Sequence, residues 1–121
     1  MDPAEQYQLR TTESRRLYDL ALKVAVDGAQ ALAKLVSHSP IYTVRARGSH
    51  VWDVDGNEYI DYVLGLGPLL LGHGHPHVTQ RVHEQLDTYV LNSTANPLEV
   101  ELAQKLVGIV PCAQTCRFTT S

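Results

Sequence analysis

Cysteine is scarce in this chain of 121 residues, with only Cys112 and Cys116 present. They do not have the two-residue spacer of a zinc or redox pair, so both read as free thiols near the entrance to a strand. Positive charge is scarce too. The 10 Lys and Arg residues are scattered singly and outnumbered by 13 Asp and Glu, for a net charge of -3. That distribution excludes the basic face a nucleic acid needs. Long hydrophobic runs are missing as well: Leu69-Leu70-Leu71 is among the longest, far short of the roughly 20 apolar residues that span a bilayer. Met1 to Glu5 carries neither the basic region nor the apolar core of a signal peptide, so the expected address is cytoplasmic. Internal repeats and low-complexity tracts are absent. With 44% hydrophobic and 19% charged residues, the composition is that of an ordinary folded protein.

What is present is periodic. Residues 4 to 36 read as helical, with a break expected near Thr11 and Thr12. Leu17, Leu20, Ala21, Val24, Ala25, Ala31, Leu32, Leu35 and Val36 recur at three- and four-residue steps, and Gly28 weakens the middle. Ser37, Ser39 and Pro40 end the segment. From Ile41 the period changes to two. Tyr42, Val44 and Ala46 alternate with Thr43, Arg45 and Arg47, Gly48-Ser49 turns the chain, and Val51–Val54 and Glu58–Val63 flank Asp55-Gly56-Asn57. This is a three-stranded meander with an Asp-Gly turn.

Beyond it, Gly65, Gly67, Pro68, Gly72, Gly74 and Pro76 make an irregular loop. Pro76 is placed as the first residue of a helix whose buried side is Val78, Val82, Leu86, Tyr89 and Val90. A second helix is announced by Asn96 as cap, Pro97 in the first turn and Glu99 three residues beyond the cap, with Leu98, Leu102, Ala103, Leu106, Val107 and Val110 as its apolar face. Pro111 stops it, and Thr115 to Thr120 reads as a short strand.

Three clusters invite chemistry. His73, His75 and His77 alternate, as metal ligands on an extended strand would, but Gly74 and Pro76 impose a turn and no further ligand is in sight; the reading is a structural turn. Asp53, Asp55, Glu58 and Asp61 lack the full spacing of a calcium loop and read as a solvated hairpin. Trp52, Tyr59 and Tyr62 read as cross-strand packing. Gly65-Leu66-Gly67-Pro68 is open to two readings: backbone that approaches a ligand closely, or a surface loop with a core Leu.

The run Trp52-Asp53-Val54-Asp55-Gly56-Asn57-Glu58-Tyr59-Ile60-Asp61-Tyr62, followed by Gly67-Pro68-Leu69-Leu70-Leu71-Gly72-His73-Gly74-His75-Pro76, resembles the N-terminal signature of class III aminotransferases. Within them it is most similar to the glutamate-1-semialdehyde aminomutases. Arg117-Phe118-Thr119-Thr120-Ser121 resembles the strand that in this family enters a Ser-Gly-Thr-Glu-Ala phosphate-binding turn. The resemblance covers residues 37 to 121 and implies the front portion of a longer α/β enzyme of the fold type I pyridoxal-phosphate class. The segments it implies are an N-terminal helical stretch (1–36), a small-domain antiparallel meander with its loop and helix (37–95), and the first helix and strand of the large cofactor domain (96–121).

By the same resemblance, the cofactor is pyridoxal 5'-phosphate, Ser121 begins its phosphate site, and Leu66 and Gly67 belong to the mouth of the substrate pocket. The substrates would be an amine or amino-acid donor and a keto acceptor, and the assembly a homodimer. Leu66 stands where the similar aminomutases usually have Trp, so another donor is at least as good an expectation as glutamate-1-semialdehyde. The catalytic Lys and the acidic partner of the pyridinium lie beyond position 121 in the family, and Lys23, Lys34 and Lys105 match neither role. The isolated chain is therefore expected to be inactive. The alternative is a non-catalytic truncated homologue that acts as an interaction module through its open sheet edges and uncovered helix stripes.

Overall fold

Helix α1 (Pro3–Arg10) opens on a reciprocal cap, with Asp2 Oδ1 accepting from Ala4 N at 3.3 Å and Glu5 Oε2 accepting from Asp2 N at 3.4 Å. The computed structural model describes residues 1–28, 39–91 and 93–119. The chain divides into two compact units, Met1–Gln80 and Arg81–Ser121.

In the first unit, α1 gives way to α2 (Thr12–Val24) at Thr11, whose hydroxyl donates to Tyr7 O at 2.8 Å and which is almost fully buried. The break expected near Thr11 and Thr12 is therefore real. Thr11 makes no side-chain cap for α2. The cap comes from the hairpin instead: Asp55 Oδ1 accepts from Glu13 N at 2.7 Å, and Asp55 Oδ2 accepts from Ser14 N at 2.9 Å and Ser14 Oγ at 2.7 Å. Helix α2 stops at Val24, where Ala25 is extended, and a short 3-10 turn (Val26–Gly28) follows with Gly28 at φ 68. The proposed continuation of this helix, from 29 to 36, lies outside the described residues.

Strands β1 (Thr43–Arg47), β2 (His50–Asp53) and β3 (Glu58–Ile60) form an antiparallel sheet in the order β1-β2-β3, which is the meander read from the sequence. Thr43 pairs with Asp53 and Arg45 with Trp52, so the register slips by one residue at Val44. This bulge breaks the strict alternation of β1. Arg45 lies over its partner, with Cζ 3.8 Å from the Trp52 ring centroid, a contact between cation and ring face.

The acidic run is not the solvated hairpin that its composition suggests. Asp53 is 1% exposed. Its Oδ1 accepts from Asn57 N at 2.7 Å, and its Oδ2 accepts from Asn57 Nδ2 at 2.9 Å and Tyr59 OH at 2.7 Å. Asn57 also ties the turn to α1, donating to Arg10 O and accepting from the Arg10 guanidinium. Thr11, Ser14 and Asp53 are the largest fully buried side chains, and no described apolar side chain is buried. The unit is thus joined by hydrogen bonds at its centre. Leu20 and Val24 of the α2 stripe are exposed, while Leu17 and Ala21 are half-buried.

Helix α3 (Pro76–Leu86) begins at Pro76 as expected but ends before Tyr89 and Val90. There the carbonyl of Gln85 receives both Thr88 N and Tyr89 N, and the chain tightens into a turn. In the second unit, Asn96 Oδ1 caps α4 (Pro97–Ile109) by accepting from Leu98 N at 2.9 Å. The segment read as a strand over Thr115–Thr120 is not one through Thr119. A strand exists only through its ladder, and no neighbouring strand lies beside it among the described residues. Leu98, Leu102 and Ala103 of α4 instead face Cys116 and Phe118 across a cleft of 710 Å³.

Candidate functional site

Strand β3 delivers Asp61 to the start of the glycine loop. Asp61 N donates to Ser49 O at 2.8 Å, which fixes it beside the β1–β2 turn. Its Oδ1 accepts from Val63 N at 2.8 Å and Leu64 N at 3.1 Å, and its Oδ2 lies 2.6 Å from His73 Nε2. The imidazole and the two backbone N–H groups hold the Asp61 carboxyl below the usual carboxylate range. His73 is fastened by its backbone as well, exchanging hydrogen bonds of 2.8 Å in both directions with Gly48. Gly72 lets the two segments approach: a Cβ there would sit 2.7 Å from Gly48 O.

Between these anchors the backbone turns left-handed for four residues, with φ of 49 at Leu64, 63 at Gly65, 70 at Leu66 and 107 at Gly67. Leu66 N donates to Val63 O at 2.9 Å, and Gly67 N to Leu64 O at 3.1 Å. Left-handed conformation costs a non-glycine L-residue about 1–2 kcal/mol, so Leu64 and Leu66 are strained while Gly65 and Gly67 are not. The loop thus holds Leu66 in a conformation its own chemistry disfavours, with the residue 71% exposed. Next to the turn, Pro68, Leu69, Leu71, His75 and Val78 line a cleft of 330 Å³. His75 Nδ1 is buried with no hydrogen-bond partner among the described residues.

Leu66 and Gly67 therefore share one strained turn. The alternating histidines do not converge: His73 is committed to Asp61, and among the described residues no group of three His, Cys, Asp or Glu side chains is arranged to hold a metal. Ser121 lies outside the described residues, as does Lys34. Lys23 and Lys105 are exposed on α2 and α4. The residues named toward the cofactor phosphate and lysine are therefore not brought together among the described residues. Cys112 and Cys116 are both exposed free thiols. No described helix is long and apolar enough to cross a membrane. The Asp61–His73 pair was missed in the sequence because twelve positions separate its members and no local pattern links them.

A sequence profile for aminotransferase class-III matches residues 31–121. The glutamate-1-semialdehyde 2,1-aminomutase of Methanosphaera stadtmanae is 39% identical over 113 residues, a match covering 93% of this chain and 27% of that enzyme. Among solved structures, an omega-transaminase from Sphaerobacter thermophilus superposes with a TM-score of 0.84 at 31% identity, covering 89% of this chain and 25% of the other. A transaminase with PLP bound superposes with a TM-score of 0.75 at 32% identity, covering 81% and 23%. The helices and antiparallel meander are thus those of pyridoxal-phosphate-dependent aminotransferases, and the chain belongs to the class-III aminotransferase family. It spans about a quarter of the length of the relatives it matches.

Proposed function

We propose that this chain is the N-terminal part of a pyridoxal-phosphate-dependent class III aminotransferase or aminomutase. The whole enzyme transfers an amino group between an amine or amino-acid donor and a carbonyl acceptor. The family match over residues 31–121 carries the reading. The cofactor supplies the electron sink for the amino transfer, and its lysine and most of its phosphate site come from residues beyond Ser121, with Ser121 at the start of that site. The chain's own contribution is on the substrate side: the Leu64–Gly67 turn walls the pocket mouth, Leu66 excludes water there, and Gly67 lets the backbone approach the donor.

The segments follow the same plan, with a helical stretch over 1–36, a small domain over 37–95 and the start of the cofactor domain over 96–121. A homodimer and a cytoplasmic address go with it. Purification of the native protein from its source, with intact mass, pyridoxal phosphate content and amino transfer from a panel of donors to keto acids, tests the reading. A protein much heavier than this chain that retains the cofactor and transfers amino groups is the expected result. A protein with neither cofactor nor transfer would sink it.

One observation favours a second reading. With no described apolar side chain buried and Leu22, Val24, Leu70 and Leu91 among many exposed ones, the chain by itself has apolar surface to cover. A truncated homologue acting as an interaction module would use that surface. It would co-purify with a partner at the mass of this chain and carry no cofactor.

A further inference from the structure

The left-handed turn at Leu64–Gly67 needs something to hold it. Two of its four residues are leucines at φ 49 and 70, and left alone they would relax to the right-handed or extended regions. The backbone bonds inside the turn, Leu66 N to Val63 O and Gly67 N to Leu64 O, follow from the left-handed path but do not select it. Leu69 N closes across the turn onto Leu64 O at 3.2 Å; the side-chain groups that can select the path lie at its two ends, and both involve Asp61. One carboxylate oxygen receives Val63 N and Leu64 N and so orients the peptide planes at the entry; the other receives the His73 imidazole from the far side of the loop. Asp61 and His73 side chains are 12% and 21% exposed, so this charge-assisted contact is largely withdrawn from water. Both residues are in turn locked to the β1–β2 turn by backbone bonds, Asp61 N to Ser49 O and His73 to Gly48 in both directions.

We propose that Asp61 and His73 are a positioning pair that sets the left-handed Leu64–Gly67 turn and thereby the placement of Leu66. Neither touches the reacting atoms; they act through the loop. The effect on substrate rests on the reading of that turn as the pocket mouth, whereas the effect on the turn itself does not. Any loosening must be local. The β1–β2 ladder has its own pairing and no bond to either side chain, so losing the pair frees the turn and leaves the ladder closed.

The test uses the native full-length protein in four forms: Asp61→Ala, Asp61→Asn, His73→Leu and His73→Gln. Amide hydrogen exchange at Val63, Leu64 and Leu66 is read against that of the β1–β2 ladder, and KM and kcat are measured with the best donor. In Asp61→Ala and His73→Leu the turn amides should exchange at least about tenfold faster with the ladder unchanged. His73→Gln keeps an N–H donor toward Asp61 and should restore protection. Asp61→Asn keeps an acceptor for the entry amides but loses the charge, and should fall between. KM should rise about tenfold with kcat within about twofold, the pattern of a misplaced binding wall. Turn amides that stay protected, or that loosen together with the ladder, would overturn the positioning role. Local loosening with KM unmoved would leave the positioning pair standing and remove the turn from the substrate pocket.

Discussion

Ser14 and Asp55 meet across 41 residues of chain, the Ser14 hydroxyl and backbone N–H both donating to Asp55 Oδ2, at 2.7 and 2.9 Å. Burial would push the Asp55 carboxyl up, but the bonds from Ser14 Oγ, Glu13 N and Ser14 N outweigh it and hold the group below its usual value. A depressed carboxyl contributes stability that is fully present above its unfolded pKa and is lost as pH falls through the folded one. Asp55→Ala should lower unfolding stability by about 2 kcal/mol, the range for a lost N-terminal cap with unpaired buried donors. It should also flatten the acid limb of the stability curve. Urea titrations of both proteins at neutral and acid pH measure this, and an unchanged acid limb would refute it.

Tyr59 should govern the alkaline limb. Burial first, then its bond to Asp53 and the negative charge there, push its phenol up to about 12. The folded state therefore keeps the proton where the unfolded chain loses it, so the contribution is complete below the unfolded value near 10 and disappears as pH rises to about 12. Tyr59→Phe should cost about 1 kcal/mol at neutral pH, because Asn57 still donates to Asp53, and should remove that alkaline loss. Circular dichroism melts across the window give the comparison.

Gly72→Ala should be among the most damaging small substitutions. The residue has φ 76, and its new methyl would meet Gly48 O at 2.7 Å, a backbone atom that cannot swing aside. Left-handed strain and overpacking together predict a loss above about 2 kcal/mol. Exchange of the Gly48 and His73 amides, which hold the two segments together, should accelerate first; a variant that melts like the parent would contradict the close approach.

Arg45→Ala should be mild. The guanidinium lies over Trp52 on an exposed face, so its removal should cost under about 1 kcal/mol. Trp52 fluorescence should still shift, since it is the only Trp in the chain. A large destabilisation would mean that Arg45 has a further role.

The meander, the starts of α3 and α4 and the break at Thr11 were legible because each rests on local chemistry: period-two alternation, Asp-Gly, a proline in the first turn and a threonine pair. Leu66 and Gly67 could be singled out as a loop near a ligand, but the left-handed path through both leucines could not be read, since leucine gives no sign of it. The acidic run misled because composition says solvent, whereas Asp53 finds donors inside its own hairpin and Asp55 and Asp61 find them on other segments. The Thr115–Thr120 strand failed for a related reason: its residues favour extension, but a ladder needs a second strand that local pattern does not supply. Non-local pairing, as between Asp61 and His73, has no period to detect.

The borrowed cap of α2 has a consequence for synthesis. A chain is made from its N-terminus, so Ser14 emerges 41 residues ahead of the carboxylate that finishes its helix. Until Asp55 is made and its turn closes, the first turn of α2 has donors without acceptors and should fray. The hairpin, whose contacts are close in sequence, should then form first and admit the helix afterwards. Pulse-labelled exchange during refolding should show Val51 and Tyr59 amides protected before those of Glu13 and Ser14, and the reverse order would place α2 first.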